Sequence, residues 1–90
     1  MDCERDPNKA ASNFEKHGIS FDEAATIFSD PLALTFNDPG HSQGEYRYLS
    51  FGVSSTGRPL VVAHADRGDT IRILSARPMT ASERRDYEQQ

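Results

Sequence analysis

Polar side chains that could bind an anion are concentrated in residues 60–77, LVVAHADRGDTIRILSAR. Two runs of β-branched and aliphatic residues flank the turn-forming residues 66–69, a pattern typical of a β-hairpin. Because guanidinium groups form planar, bidentate contacts with phosphate and carboxylate, arginines here predict either an anion site or an exposed sheet face with salt bridges. The polar residues concerned are His64, Arg67, Arg72, Ser75 and Arg77.

Alternation of side chains along a β-strand decides which of these residues can act together. In the second strand of the hairpin it predicts Arg72 and Leu74 on one face of the sheet. The opposite face is then predicted to hold Ile71, Ile73, Ser75 and Arg77. In the strand that comes before the hairpin, the same rule predicts one face that holds Arg47, Leu49, Phe51 and Val53.

Metal and cofactor chemistry find no support in the sequence. The single cysteine, Cys3, and the histidines lack zinc-ligand spacing, no glycine-rich phosphate loop is present, and no serine motif stands out. The loop residue His41 is expected to be solvated, and His17 either ends a helix or has a functional role. We therefore expect neither a metal nor another cofactor.

Metal-free cleavage of RNA fits the remaining residue types. The ribose 2′-OH supplies the nucleophile, so the protein must supply a base, an acid and cations for the charge that develops at phosphorus. In this interpretation, arginines of the hairpin hold the phosphate and His64 transfers a proton near neutral pH. The phosphate-binding arginines are predicted to be Arg67, Arg72 and Arg77.

Charge is divided unequally along the chain, which has a net charge of −4. Residues 1–45 hold three basic and nine acidic side chains, whereas residues 46–85 hold seven arginines and three acidic side chains. The acidic total argues against a nucleic-acid partner, but a basic half can still bind phosphate. The length of 90 residues predicts one domain over residues 1–90.

The lone cysteine excludes an internal disulfide, and no apolar run approaches the roughly 18 residues of a membrane helix. No signal-peptide pattern opens the chain. We expect a cytoplasmic protein with no membrane contact.

The elements that must position these residues are predicted to form an α+β fold. Asp6 and Pro7 indicate the start of a first helix that ends at Gly18, and a capping box at residues 20–23 begins a second. Alternating segments from residue 32 to residue 77 predict a small antiparallel sheet of about four strands. A second capping box at residues 80–83 begins one C-terminal helix, and residues 1–5 could add a short edge strand.

Four segments carry recognisable motifs: KHGISFDEA at residues 16–24, DPLA at 30–33, HADRGD at 64–69 and IRILSAR at 71–77. Together they resemble the BrnT-type toxin family. The helix start with Asp6, Lys9 and Asn13 also matches, as does the ending ER-x-x-Y at residues 83–87. The resemblance covers nearly the whole chain in order. It departs at the first strand, where the family has aromatic residues and this chain has Cys3 and Glu4.

The resemblance implies the toxin of a type II toxin–antitoxin pair, a metal-independent endoribonuclease with a RelE-like fold that cleaves RNA and arrests growth. It also implies neutralisation by a BrnA-like antitoxin encoded beside the toxin, with DNA contacted only through that antitoxin. In one assignment Glu45 is the base and His64 the acid; in another, His64 only orders the hairpin. Carried over by position, the remaining site residues are Lys9, Arg47, Arg67, Arg72 and Arg77.

Two other functions fit the sequence. The arginine face could dock an acidic protein partner without any reaction, as in a binding module. Alternatively, the chain could be a degenerate toxin that only forms a complex with its antitoxin.

Overall fold

The computed structural model describes residues 2–38 and 46–90. Within them, three α-helices and five strands confirm the α+β class, with two helices before the antiparallel strands and one after. None of the helices described is long and apolar enough to cross a membrane. The elements are β1 (Asp2–Arg5), α1 (Pro7–His17), α2 (Phe21–Ala25), a 3-10 helix (Thr26–Ser29), β2 (Leu34–Asn37), β3 (Arg47–Val53), β4 (Pro59–Arg67), β5 (Thr70–Pro78) and α3 (Ala81–Glu88).

The sheet has the strand order β1-β5-β4-β3-β2. Strands β2 to β5 form the predicted antiparallel meander, but β1 lies parallel to β5 at the edge. The short edge strand expected from residues 1–5 is therefore confirmed, whereas the prediction of a four-stranded antiparallel sheet was wrong, because the sheet is mixed and five-stranded. With Cys3 the sole apolar residue of β1, alternation could not define this strand. Its partner also lies at the far end of the sequence.

Helix α1 begins and ends where the sequence predicts. Asp6 accepts a hydrogen bond from the backbone N–H of Asn8 at 2.8 Å, and Gly18 ends the helix with a positive φ of 68°. The buried side chain of Asn13 donates to the carbonyl of Ile19 and accepts from the N–H of Ala76, each at 3.0 Å. These bonds hold α1 beside the part of β5 that extends beyond β1.

The hydrophobic core lies between the helices and one face of the sheet. Ile19, Phe21, Ala24 and Ile27 pack against the sheet residues Leu60, Val62, Ile73 and Ala76. We call this the covered face. The opposite face, which carries Leu49, Ala63 and Arg72, is called the open face, and α3 lies over one end of it.

A β-bulge in β5 changes the faces that its side chains occupy. Ala63 pairs with Ser75 and His64 pairs with Ile73, so Leu74 is the extra residue. The buried positions of the strand accordingly shift phase, from Ile71 and Ile73 to Ala76. The prediction that Arg72 faces away from Ser75 and Arg77 was wrong, because all three lie on the open face. The β3 grouping is confirmed by the pairing of Arg47, Leu49 and Phe51 with Ala65, Ala63 and Val61.

Candidate functional site

A groove crosses the open face from α1 to the end of β2. Its floor includes the small side chains of Ala63 and Ser75, and two cations, Lys9 and Arg47, stand at its sides. Small side chains between two cations leave room for a phosphate group to approach both. The complete lining is Lys9, Asp38, Arg47, Leu49, Ala63, Leu74 and Ser75.

Arg47 is a half-buried cation of this groove. Its Nε atom is buried and has no hydrogen-bond partner in the described part of the chain. Because Nε itself is buried, an anion would bind the part of the Arg47 side chain that lines the groove. Arg47 and Arg72 both pair with Ala65, from opposite sides, so their Cα atoms are about 10 Å apart on the open face.

The other predicted arginines lie away from the centre of the groove. Arg77 donates to both carboxylate oxygens of Glu83, at 2.7 and 2.9 Å, and these bonds lower the pKa of Glu83 to about 2. Glu83 also accepts from the N–H of Thr80, which begins α3, so Arg77 anchors that helix. Arg67 is exposed at the end of β4, where it pairs with Thr70 beside the hairpin turn.

His64 lies on the covered face, separated by the sheet from the groove that holds Lys9 and Arg47. Only 3% of the residue is exposed. Its ring stacks on Tyr48 and contacts the ring of Phe28 edge-on. The structure therefore brings Lys9, Arg47 and Arg72 to one face and leaves His64 on the other.

The polar contacts of His64 form a serine–histidine–aspartate arrangement that sequence reasoning did not find. The Ser50 hydroxyl lies 2.7 Å from Nε2, and Nδ1 lies 3.4 Å from the Asp66 carboxylate. Ser50 has no exposed surface, however, and its hydroxyl also bonds to Thr35 at 2.7 Å. A nucleophile must reach its substrate, so this arrangement is structural. Nδ1 is buried and has no hydrogen-bond partner among the described residues, and its contact with Asp66 is electrostatic. Only the β3–β4 register, which no sequence motif reports, places Ser50 near His64.

Burial lowers the pKa of His64, against an opposing effect of the nearby Asp66 carboxylate. The imidazole is therefore favoured in its neutral form in the folded protein. Nε2 shares a hydrogen bond of 2.7 Å with the Ser50 hydroxyl, and the tautomer of the neutral ring determines which of the two atoms donates. A neutral histidine with these partners and two aromatic neighbours holds the covered face of β3 and β4 together.

The predicted base Glu45 and the loop residue His41 lie outside the described residues. Asp38, which the sequence analysis did not single out, lines the groove beside Arg47, and its backbone N–H donates to the Arg47 carbonyl at 2.9 Å. Its position directly after the last residue of β2 gave no recognisable signal. Across residues 2–38 and 46–90, no group of three His, Cys, Asp or Glu side chains is placed to hold a metal ion.

Comparison with known proteins gives a family and a matching fold. The family model for the ribonuclease toxin BrnT of type II toxin–antitoxin systems matches residues 6–83. The crystal structure of the Brucella abortus ribonuclease toxin BrnT is similar to this chain, with a TM-score of 0.69 and 20% sequence identity, over 89% of this chain and 97% of that one. No curated protein sequence matches the chain. The RelE-like relationship of the fold stays a prediction.

Proposed function

The chain belongs to the BrnT family of ribonuclease toxins of type II toxin–antitoxin systems, and we propose that it cleaves RNA in the groove of the open face. The observation that carries this proposal is the groove itself, which is lined by two cations, Lys9 and Arg47, and by the carboxylate residue Asp38. Cations placed beside a phosphodiester stabilise the negative charge that develops at phosphorus during cleavage. Because the ribose 2′-OH supplies the nucleophile, the reaction needs no metal.

We assign the chemical roles by position in the groove. The Arg47 guanidinium binds a non-bridging phosphate oxygen, and Arg72 extends the positive charge along the same face. Asp38 removes the proton of the 2′-OH, whose oxygen then attacks phosphorus. The bond from phosphorus to the 5′-oxygen breaks, Lys9 supplies the proton to that oxygen, and the products carry a 2′,3′-cyclic phosphate and a 5′-hydroxyl. Glu45 stays an alternative base.

Cleavage of single-stranded RNA by the purified protein in excess EDTA tests this proposal. We expect the wild type to produce 2′,3′-cyclic phosphate ends. The double variant Lys9→Gln/Arg47→Gln should cleave at least about 100-fold more slowly, because donors at the developing charge each contribute on this scale. Thermal unfolding of both proteins shows whether the variant is folded.

The matched control is Arg84→Gln/Arg85→Gln, which removes two positive charges from the exposed surface of α3 and should cleave at the wild-type rate. Absence of cleavage by a folded wild type would contradict the proposal and favour a chain that only binds its antitoxin. Equal rates for the wild type and the groove variant would place the chemistry outside the groove.

A type II toxin implies an antitoxin, and we propose that this partner is BrnA-like, is encoded beside the toxin and carries the contacts to DNA. We further propose that the toxin acts in the cytoplasm and arrests growth by cleaving RNA. Induced expression in a bacterial host should stop growth for the wild type and not for Lys9→Gln/Arg47→Gln. Co-expression of the adjacent small gene should restore growth and yield a complex that purifies together.

A further inference from the structure

A second groove continues from the first along α1. Its lining includes Lys9, Leu74 and Ser75, the same three residues that end the first groove, so the two are continuous. From there it runs past Ser12 and Lys16 to His17, at the last turn of the helix. A second cation, Lys16, therefore lines a groove that extends beyond the one in which we place the reaction.

Helical geometry explains why these α1 residues form one surface. Lys9 and Lys16 are seven residues apart, which places them on the same side of the helix and about 10 Å from each other along its axis. Ser12 is at i+3 from Lys9 and i−4 from Lys16, so it lies on the same side of the helix. Glu15 is not among the residues that line the groove. A hydroxyl and two ammonium groups along one line match successive phosphates of a nucleic-acid strand.

The edge of β5 leaves space for this groove. Strand β1 pairs with β5 only from Thr70 to Ile73, so the strand edge from Leu74 onward faces α1. The bulge at Leu74 interrupts regular pairing at the same place. Asn13 lines the groove too, but both ends of its amide are bonded to backbone groups. Ser12, Lys16 and His17 therefore provide the exposed polar groups.

We infer that Ser12, Lys16 and His17 form a second RNA-binding subsite, which takes the phosphate next to the one that is cleaved. This inference rests on the proposed function of the first groove. A dinucleotide has a single phosphate and occupies the first groove alone, whereas a longer RNA reaches both. The subsite therefore contributes to the affinity for longer RNA and adds nothing to the cleavage of a dinucleotide.

The experiment compares the wild type with Lys16→Gln on a dinucleotide and on a longer single-stranded RNA. We expect kcat/KM for the longer RNA to fall by about tenfold, with kcat/KM for the dinucleotide unchanged. Binding of a 2′-O-methyl RNA, which cannot be cleaved, should show a salt dependence that is smaller by about one phosphate contact. Arg85→Gln, with the same change of charge on exposed α3, should behave as the wild type.

Three outcomes would overturn the inference. If Lys16→Gln matches the wild type on the longer RNA, the subsite does not exist and the proposed function stands. If kcat/KM falls equally on both substrates, Lys16 acts at the first groove. If the folded wild type cleaves neither substrate, the proposed function fails and the subsite with it.

Discussion

The two faces of the sheet differ in how accessible their polar side chains are. On the covered face, His64 and Ser50 are buried and bonded to each other beneath the aromatic ring of Phe28. On the open face, Lys9 and Arg47 line a groove that a ligand can enter. The difference teaches that residue type alone does not identify a reactive group. A reactive group must also be accessible to the substrate.

Replacing a serine by alanine on each face is expected to give the largest difference in stability between the two faces. Ser50→Ala leaves the buried Nε2 of His64 without its hydrogen bond, so the free energy of unfolding should fall by about 1–3 kcal/mol. Ser75→Ala, at an exposed position of the open face, should change it by no more than about 0.5 kcal/mol. Urea denaturation of the three proteins measures both changes. Equal losses for the two variants would contradict the structural role given to Ser50.

A smaller effect is expected in the pH dependence of stability, which should depend on His64 of the covered face. Burial lowers the folded-state pKa of His64 below its ordinary value of 6.5, so protonation favours the unfolded chain. The stabilisation is present above pH 6.5 and is lost as pH falls below it, by up to about 1.4 kcal/mol per pH unit. His64→Gln should lose this dependence, as measured by urea denaturation over that pH range. An unchanged slope in the variant would assign the dependence to another group.

Local signals in the sequence predicted the helices well. Helix α1 begins after Asp6 and ends at Gly18, and Thr80 and Glu83 form a reciprocal capping box at the start of α3. These features could be predicted because each depends on neighbouring residues alone. At residues 20–23 the box is only half formed. Ser20 caps α2, but the Glu23 carboxylate binds Arg58 across the fold.

Features that depend on long-range pairing could not be predicted in the same way. The single extra residue at Leu74 reverses the alternation for the rest of β5, and it brings Arg72 to the same face as Ser75. The sequence IRILSAR of residues 71–77 contains no residue pattern that predicts a bulge. The contact between Ser50 and His64 likewise depends on the β3–β4 register, so His64 could be predicted as polar and important but not as buried.

The central claim is that RNA binds the open face, and methyl NMR of alanine side chains tests it most directly. Ala63 lines the groove, whereas Ala24 and Ala76 are buried in the core on the covered face. On titration with a 2′-O-methyl RNA oligonucleotide, we expect the Ala63 methyl resonance to shift and those of Ala24 and Ala76 to stay in place. Shifts at Ala24 and Ala76 with Ala63 unchanged would contradict the claim.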